Sequence, residues 1–168
     1  MSIERVAARL EQEQYIDTLV ARGEVTTIVE PGGLLESLEW LRDEDDLSFD
    51  SLSDITITDW PKRDPRFWIA YHLYSHEHRH RVRLKVGLPA DAPVVPTVTG
   101  LFAPANWMER EVFDMMGVTF DGHPDLRRIL MPEDWEDFPQ RKTESLGGVP
   151  TRYKGAFIPP VDERIGEA

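Results

Sequence analysis

The sequence predicts an α+β domain, a mostly antiparallel sheet covered by helices, followed by an extended C-terminal tail. Three observations predict it. Runs of period-two alternation occupy the middle of the chain, and stretches of helical spacing flank them. The stretch from Gly147 to the end has neither period and carries Pro150, Pro159 and Pro160 beside Gly147, Gly148 and Gly155. The domain is set at residues 1–142 and the tail at 143–168.

In chain order, residues 2 to 22 carry the first helical pattern. Ile3, Val6, Ala7 and Leu10 set it, Ile16, Leu19 and Val20 resume it in a shifted phase, and Gly23 is the stop. Val25 to Glu30 is rich in β-branched residues and predicts a strand, ended by Pro31 and two glycines. Leu34, Leu35, Leu38 and Leu41 mark a second amphipathic helix, which runs out in the acidic stretch Asp43 to Asp46. Ser53 to Trp60 sets Ile55 and Ile57 against polar neighbours, as a half-buried strand does. Phe67 to Tyr74 predicts another. Val82, Leu84 and Val86 alternate with Arg81, Arg83 and Lys85, giving a strand with a basic outer face. These two strands are expected to form a hairpin with Ser75 to His80 at its tip. Pro89 to Pro96 reads as a connection. Asn106 is then an N-cap with Glu109 as its capping-box partner, and Gly117 suits the left-handed position past a helix end. Val118 to Phe120 is a short strand, and Asp121-Gly122 a turn.

Composition narrows the function. A chain of 168 residues suits one domain with a core. No apolar run approaches the roughly 20 residues that span a bilayer. The N-terminus lacks the apolar core of a signal peptide, so the chain is expected to stay in the cytoplasm. A net charge of −12 disfavours nucleic acid and anionic lipid as direct partners, so membrane association is expected only through another protein. There are no cysteines, which excludes disulfides, thiolate zinc sites and all-cysteine iron–sulfur ligation by this chain. No glycine-rich nucleotide loop or nucleophile elbow is present.

His76-Glu77-His78-Arg79-His80 matches the H-E-x-x-H zinc-protease pattern. That chemistry needs a helix, which puts both histidines on one face and lets the glutamate act as base. Strand-like alternation on both sides predicts a hairpin tip instead, where a solvated, charged turn is expected.

The informative segment is 106–130. Glu109 and Glu111 point about 200° apart on a helix and cannot form a carboxylate dyad. Arg110 and Asp114 are one turn apart and able to pair. On the residues alone, helix solvation and turn chemistry account for the segment. Its pattern is nevertheless distinctive. Glu109-Arg110-Glu111 is followed after two positions by Asp114 and the apolar pair Met115-Met116. After Gly117 come Gly122, His123, Pro124, then Arg127, Arg128, Ile129 and Leu130. This resembles the signature of the C-type subunit of NADH:quinone oxidoreductase, the 30 kDa-type subunit of respiratory complex I. Met131 to Trp135, and upstream Thr58-Asp59-Trp60, Tyr71-His72-Leu73 and Val82 to Val86, fall in the family's order. Farther on, the basic pair Arg141-Lys142 is kept, whereas flanking Leu and Asp positions of the family pattern are replaced.

The resemblance implies a subunit of the hydrophilic arm of a proton-pumping complex, peripheral on the cytoplasmic side of the cell membrane. It implies no catalytic, cofactor-binding or metal-binding residues in this chain. NADH, FMN, iron–sulfur clusters and quinone are expected in the rest of the complex. The implied partners are the quinone-site subunit (D type), the terminal-cluster subunit (B type) and the ferredoxin-like subunit (I type). The expected interface residues are Glu109, Arg110, Glu111, Asp114, Gly117, Gly122, His123, Pro124, Arg127, Arg128, Arg141 and Lys142. The first alternative keeps the fold and changes the machine: a membrane-bound hydrogenase, F420H2 dehydrogenase or ferredoxin:plastoquinone-type complex. A free-standing binding protein is the rival from another class.

Overall fold

A computed structural model describes residues 3–12 and 17–144, and the backbone at 152–153 and 156–157. Helix α1 (Ile3–Gln12) leads into β1 (Asp17–Ala21) and β2 (Glu24–Val29). A 3-10 turn at Pro31–Gly33 opens α2 (Leu34–Asp43), followed by β3 (Ser51–Asp59), β4 (Phe67–Ser75) and β5 (His80–Leu88). Short β6 (Val94–Pro96), α3 (Ala105–Met116) and β7 (Thr119–Asp121) follow, and Arg152–Tyr153 pairs with Ala156–Phe157 as β8 and β9. The rest of the expected tail lies outside the described residues.

Strands order as β1-β2-β5-β4-β3, and every pairing is antiparallel except β2 with β5. The α+β sheet expected from the patterning is therefore present. Period two sorts the strands into two faces. Phe67, Ile69, Tyr71 and Leu73 of β4, with Val82, Leu84, Val86 and Leu88 of β5, point to one side and are buried. Val6 and Leu10 of α1, Leu34, Leu38 and Leu41 of α2, and Ala105 and Val112 of α3 join them in a single core. Burying each such Leu or Phe contributes roughly 1.5–3 kcal/mol. The opposite face carries Trp68, His72, Tyr74, Arg81, Arg83 and Lys85, half-buried or exposed.

The first expected helix is too long. The described helix covers Ile3–Gln12, and residues 17–21, expected to continue it, form the edge strand β1. Arg22 and Gly23 both have positive φ (55° and 79°), the signature of a two-residue hairpin turn, and Ala21 pairs with Glu24. Pairing with β2 outweighs the weak helical phase of Leu19 and Val20. Part of the 89–96 connection is also regular: β6 pairs in parallel with β7.

The hairpin β4–β5 is as expected, with Ser75 opposite His80. His76 turns outward to Asp50 (2.9 Å), whereas His80 sits buried on β5 against Leu47 O (3.2 Å). The zinc-protease geometry does not arise. Among the described residues no cluster of metal-ligating side chains is present, and no helix is long and apolar enough to cross a membrane.

Candidate interface site

Helix α3 carries the distinctive motif, and its side chains divide by direction. Glu109 and Asp114 are fully buried, Arg110 lies at the edge, and Glu111 is exposed. The opposite pointing of Glu109 and Glu111 follows from the helical period, as expected. The capping box does not form. Pro104 is the cap position and no side chain caps the helix; turn bonds from Ala105 N–H to Phe102 O and from Asn106 N–H to Ala103 O carry the chain in. Asn106 is already inside the first turn, and Glu109 faces the core.

Asp114 ties the segment after the helix to its last turn. Its Oδ2 accepts the backbone N–H groups of Ile129 (2.9 Å), Leu130 (2.7 Å) and Met131 (2.9 Å), and Oδ1 accepts from Arg128 Nη1 at 2.8 Å. Burial by itself would raise its pKa. The three N–H groups and the Arg128 guanidinium outweigh that and hold it below the ordinary value. Arg128 also donates to Asp137 O (3.1 Å) and lies over the Phe138 ring. The one-turn pair of Arg110 with Asp114 is not made. Arg110 donates instead to Arg127 O (3.1 Å) and stacks on Trp107 at 4.8 Å.

Glu109 sits under the helix. Its Oε2 accepts the Thr97 hydroxyl (2.5 Å) and its Oε1 the Val98 N–H (2.7 Å). His123 Nε2 lies 4.0 Å from the carboxylate. Asp125 N–H donates to His123 Nδ1 (3.0 Å), which leaves Nε2 as the donor to Asn106 O at 3.3 Å. Burial pushes the Glu109 carboxyl up to about 7, against the opposing pull of the Thr97 and Val98 bonds. The Tyr71 hydroxyl, also buried, has no hydrogen-bond partner among the described residues; burial, then the Glu109 charge, pushes its pKa well up.

Gly117 closes the helix in the left-handed conformation (φ 70°), with its N–H on Phe113 O at 2.8 Å. A Cβ there would collide with the Phe138 ring and the Arg141 guanidinium. Arg141 Nε donates to Met116 O (2.7 Å) and Nη2 to Gly117 O (3.3 Å), so this side chain caps the helix C-terminus, between the rings of Phe67 and Phe138. Next to it, Lys142 N–H donates to Asp59 Oδ2 (2.9 Å), while Arg66 grips the same buried carboxylate with two bonds of 2.8 and 2.9 Å. Gly122 takes φ 80° in the turn that presents His123. Pro124 is exposed.

The basic residues thus separate. Arg127 is exposed and pairs with Asp125 at 2.7 Å, and the Lys142 ammonium lies over the Trp60 ring. Arg128 and Arg141 turn inward and bond within the chain, to Asp114 and to Met116 O. Thr97, Tyr71, Asp59, Arg66 and Phe138 belong to this constellation; the family's order includes Asp59 and Tyr71 without tying them to α3, and no sequence pattern marks the other three. Glu109 has a readable signal of burial: it shares a helical stripe with Ala105, Val112 and Met116. The arrangement fixes shape. Its buried carboxylates are engaged by protein donors, and it displays Trp107 (63% exposed) and Leu130 (59%) on the outside.

The chain is similar to known proteins over most of its length. The family model for the respiratory-chain NADH dehydrogenase 30 Kd subunit matches residues 27–149. The C-type subunit of the NADH-quinone oxidoreductase of Saccharopolyspora erythraea is 45% identical over 153 residues, 90% of this chain and 61% of that protein. Its counterpart in Salinispora tropica is 46% identical over 147 residues, 87% of this chain and 60% of that protein. The chain therefore spans about three fifths of the length of these relatives. The corresponding protein of Roseiflexus sp. is 43% identical, and the match covers 86% of this chain and 83% of that protein. Among solved structures, a trypsin-resistant fragment of Nqo5 matches with a TM-score of 0.66 and 30% identity, over 75% of this chain and all of the fragment. A chain of the membrane-bound sulfane sulfur reductase, an archaeal respiratory membrane complex, matches with a TM-score of 0.74 and 27% identity over 85% of each chain.

Proposed function

The chain belongs to the family of the 30 kDa subunit of respiratory-chain NADH dehydrogenase, and from that premise we propose that it serves as the C-type subunit of a proton-pumping NADH:quinone oxidoreductase. In this reading it is a peripheral subunit of the hydrophilic arm, on the cytoplasmic side of the cell membrane. It braces the D-type quinone-site subunit, the B-type terminal-cluster subunit and the I-type ferredoxin-like subunit. NADH, FMN, iron–sulfur clusters and quinone are held by other chains. This one supplies surface, and a chain without cysteine suits that part. The domain 1–142 carries the brace, and the tail 143–168 packs on a neighbouring subunit.

The observation that carries the reading is the use to which the family motif is put. Asp114, Arg128, Gly117 and Arg141 hold the segment 128–141 against α3, and the motif segment carries exposed Trp107 and exposed Leu130. A rigid surface bearing a large aromatic and an apolar side chain suits a permanent contact. Purification of the native assembly, with its subunits identified by mass spectrometry, tests this. Co-purification with D-, B- and I-type subunits is expected, with NADH-driven quinone reduction that is lost when this chain is deleted. Elution of the chain as a free-standing protein would refute it.

The likeness to a chain of the sulfane sulfur reductase favours a second reading, a sister complex on the same fold. A membrane-bound hydrogenase, F420H2 dehydrogenase or ferredoxin:plastoquinone-type complex would keep this subunit and change the donor. The donor that the purified assembly oxidises separates the two.

A further inference from the structure

Among the described residues, helices cover one face of the sheet and leave the other open. On the open face, β5 presents Arg81, Arg83 and Lys85 in a row, opposite Tyr74, His72 and Ala70 of β4. Among the described residues only the middle cation has a carboxylate: Arg83 Nη2 lies 2.6 Å from Glu24 Oε2. Arg81 sits over the Tyr74 ring (5.5 Å) and Lys85 over the Trp68 ring (4.8 Å), and neither has a carboxylate partner among the described residues. This is unexpected in a chain with 31 acidic and 19 basic residues. The aromatic rings orient the two cations without neutralising them. A depression of about 270 Å³, with Glu24, Asp54, His72, Arg81 and Arg83 in its lining, lies beside the row.

We propose that this face is a second docking surface, and that its occupant is a carboxylate-bearing segment of a neighbouring subunit laid along β5. The chemistry selects the occupant. Alternate residues of a strand are about 6.6 Å apart, so the row offers three cations at regular spacing, of which the outer two await anions. Acids one turn apart on a helix, about 6 Å, or two apart on an extended strand, meet that spacing. Like-charge repulsion within the row also falls when carboxylates arrive, and burial together with Arg83 already disfavours the Lys85 ammonium standing alone. Trp68 and the half-buried Ile28 on the same face add apolar area beneath the cations.

This inference rests on the proposed place of the chain in a multi-subunit complex. The test is zero-length cross-linking of the purified complex with a water-soluble carbodiimide, which joins an amine to a carboxylate only where the two already touch. The expected product is an amide between Lys85 Nζ and an Asp or Glu of a neighbouring subunit, mapped by mass spectrometry and absent in K85R. The R81Q/K85Q variant should assemble but lose this subunit at several-fold lower salt than the parent. Lys85 left unlinked while other subunits cross-link would overturn the inference and leave the proposed function standing. So would a link to a second copy of this chain. Absence of the chain from any such complex would overturn both.

Discussion

Replacing Glu109 by glutamine removes a carboxyl that titrates near neutrality inside the fold. Its folded value is about 7, against an ordinary 4.5. A shift of that size corresponds to about 3 kcal/mol. The sign follows from the protonated form being the one the interior tolerates. Below about pH 4.5 both folded and unfolded chains hold the proton, and the fold keeps its full stability. As pH rises toward 7 the unfolded chain gives the proton up first, and stability falls by about 3 kcal/mol before levelling off. Glutamine keeps an oxygen for the Val98 N–H and offers an amide to the Thr97 hydroxyl, so Glu109→Gln should track the parent near pH 5. Near pH 8 it should be the more stable protein. Tyr71 also faces this carboxyl; burial, then the Glu109 charge, pushes its pKa well above its ordinary value, so it stays protonated from pH 5 to 8 in parent and variant alike. Urea unfolding followed by tryptophan fluorescence at intervals from pH 5 to 8 measures the difference. Parallel pH profiles for parent and variant would refute the account of Glu109 as a buried, proton-holding acid.

Arg128→Ala should destabilise the free subunit by about 3 kcal/mol, because it strands the buried Asp114 carboxylate; Arg127→Ala should leave the thermal midpoint unchanged, and equal midpoints for the two variants would contradict the geometry. Gly117→Ala should cost about 2–4 kcal/mol, from left-handed strain and from collision with Phe138 and Arg141, read as a thermal midpoint several degrees lower. Trp107→Ala should leave the free subunit as stable as the parent but reduce the yield of intact complex on a native gel, since truncating an aromatic anchor costs about 2 kcal/mol or more of association.

Strands β3, β4 and β5 are legible in the sequence because their alternation is strong and matches what the core demands: Ile69, Leu84 and Val86 fall on the buried parity in sequence and in structure alike. Gly117 is legible because the left-handed position has few occupants. What cannot be read is long-range. The donors that fix Asp114 are backbone N–H groups from residues 129–131, and a backbone group has no letter in the sequence. Arg141 looks like a surface cation until the helix end it caps is in place. Glu109 misleads for the opposite reason: a local rule, the capping box, fits well enough to hide its place on the apolar stripe. For β1, Leu19 and Val20 fit a drifting helical phase, and only pairing with β2 decides between the two states.

One pairing sets a timetable. Val25 of β2 lies beside Val82 of β5, whereas β3, β4 and β5 are neighbours in order along the chain. On the ribosome, the β1–β2 hairpin is made early, but the strand it must join arrives only after α2, β3 and β4 have been synthesised. An isolated two-stranded hairpin is marginal in water, and its free edge invites wrong partners. The meander β3–β4–β5 assembles from local contacts, which form fastest, and it completes the bed on which the hairpin is laid. Synthesis and assembly therefore run in opposite order along this side of the sheet, and the earliest strands stay in the care of the solvent until the middle of the chain has emerged.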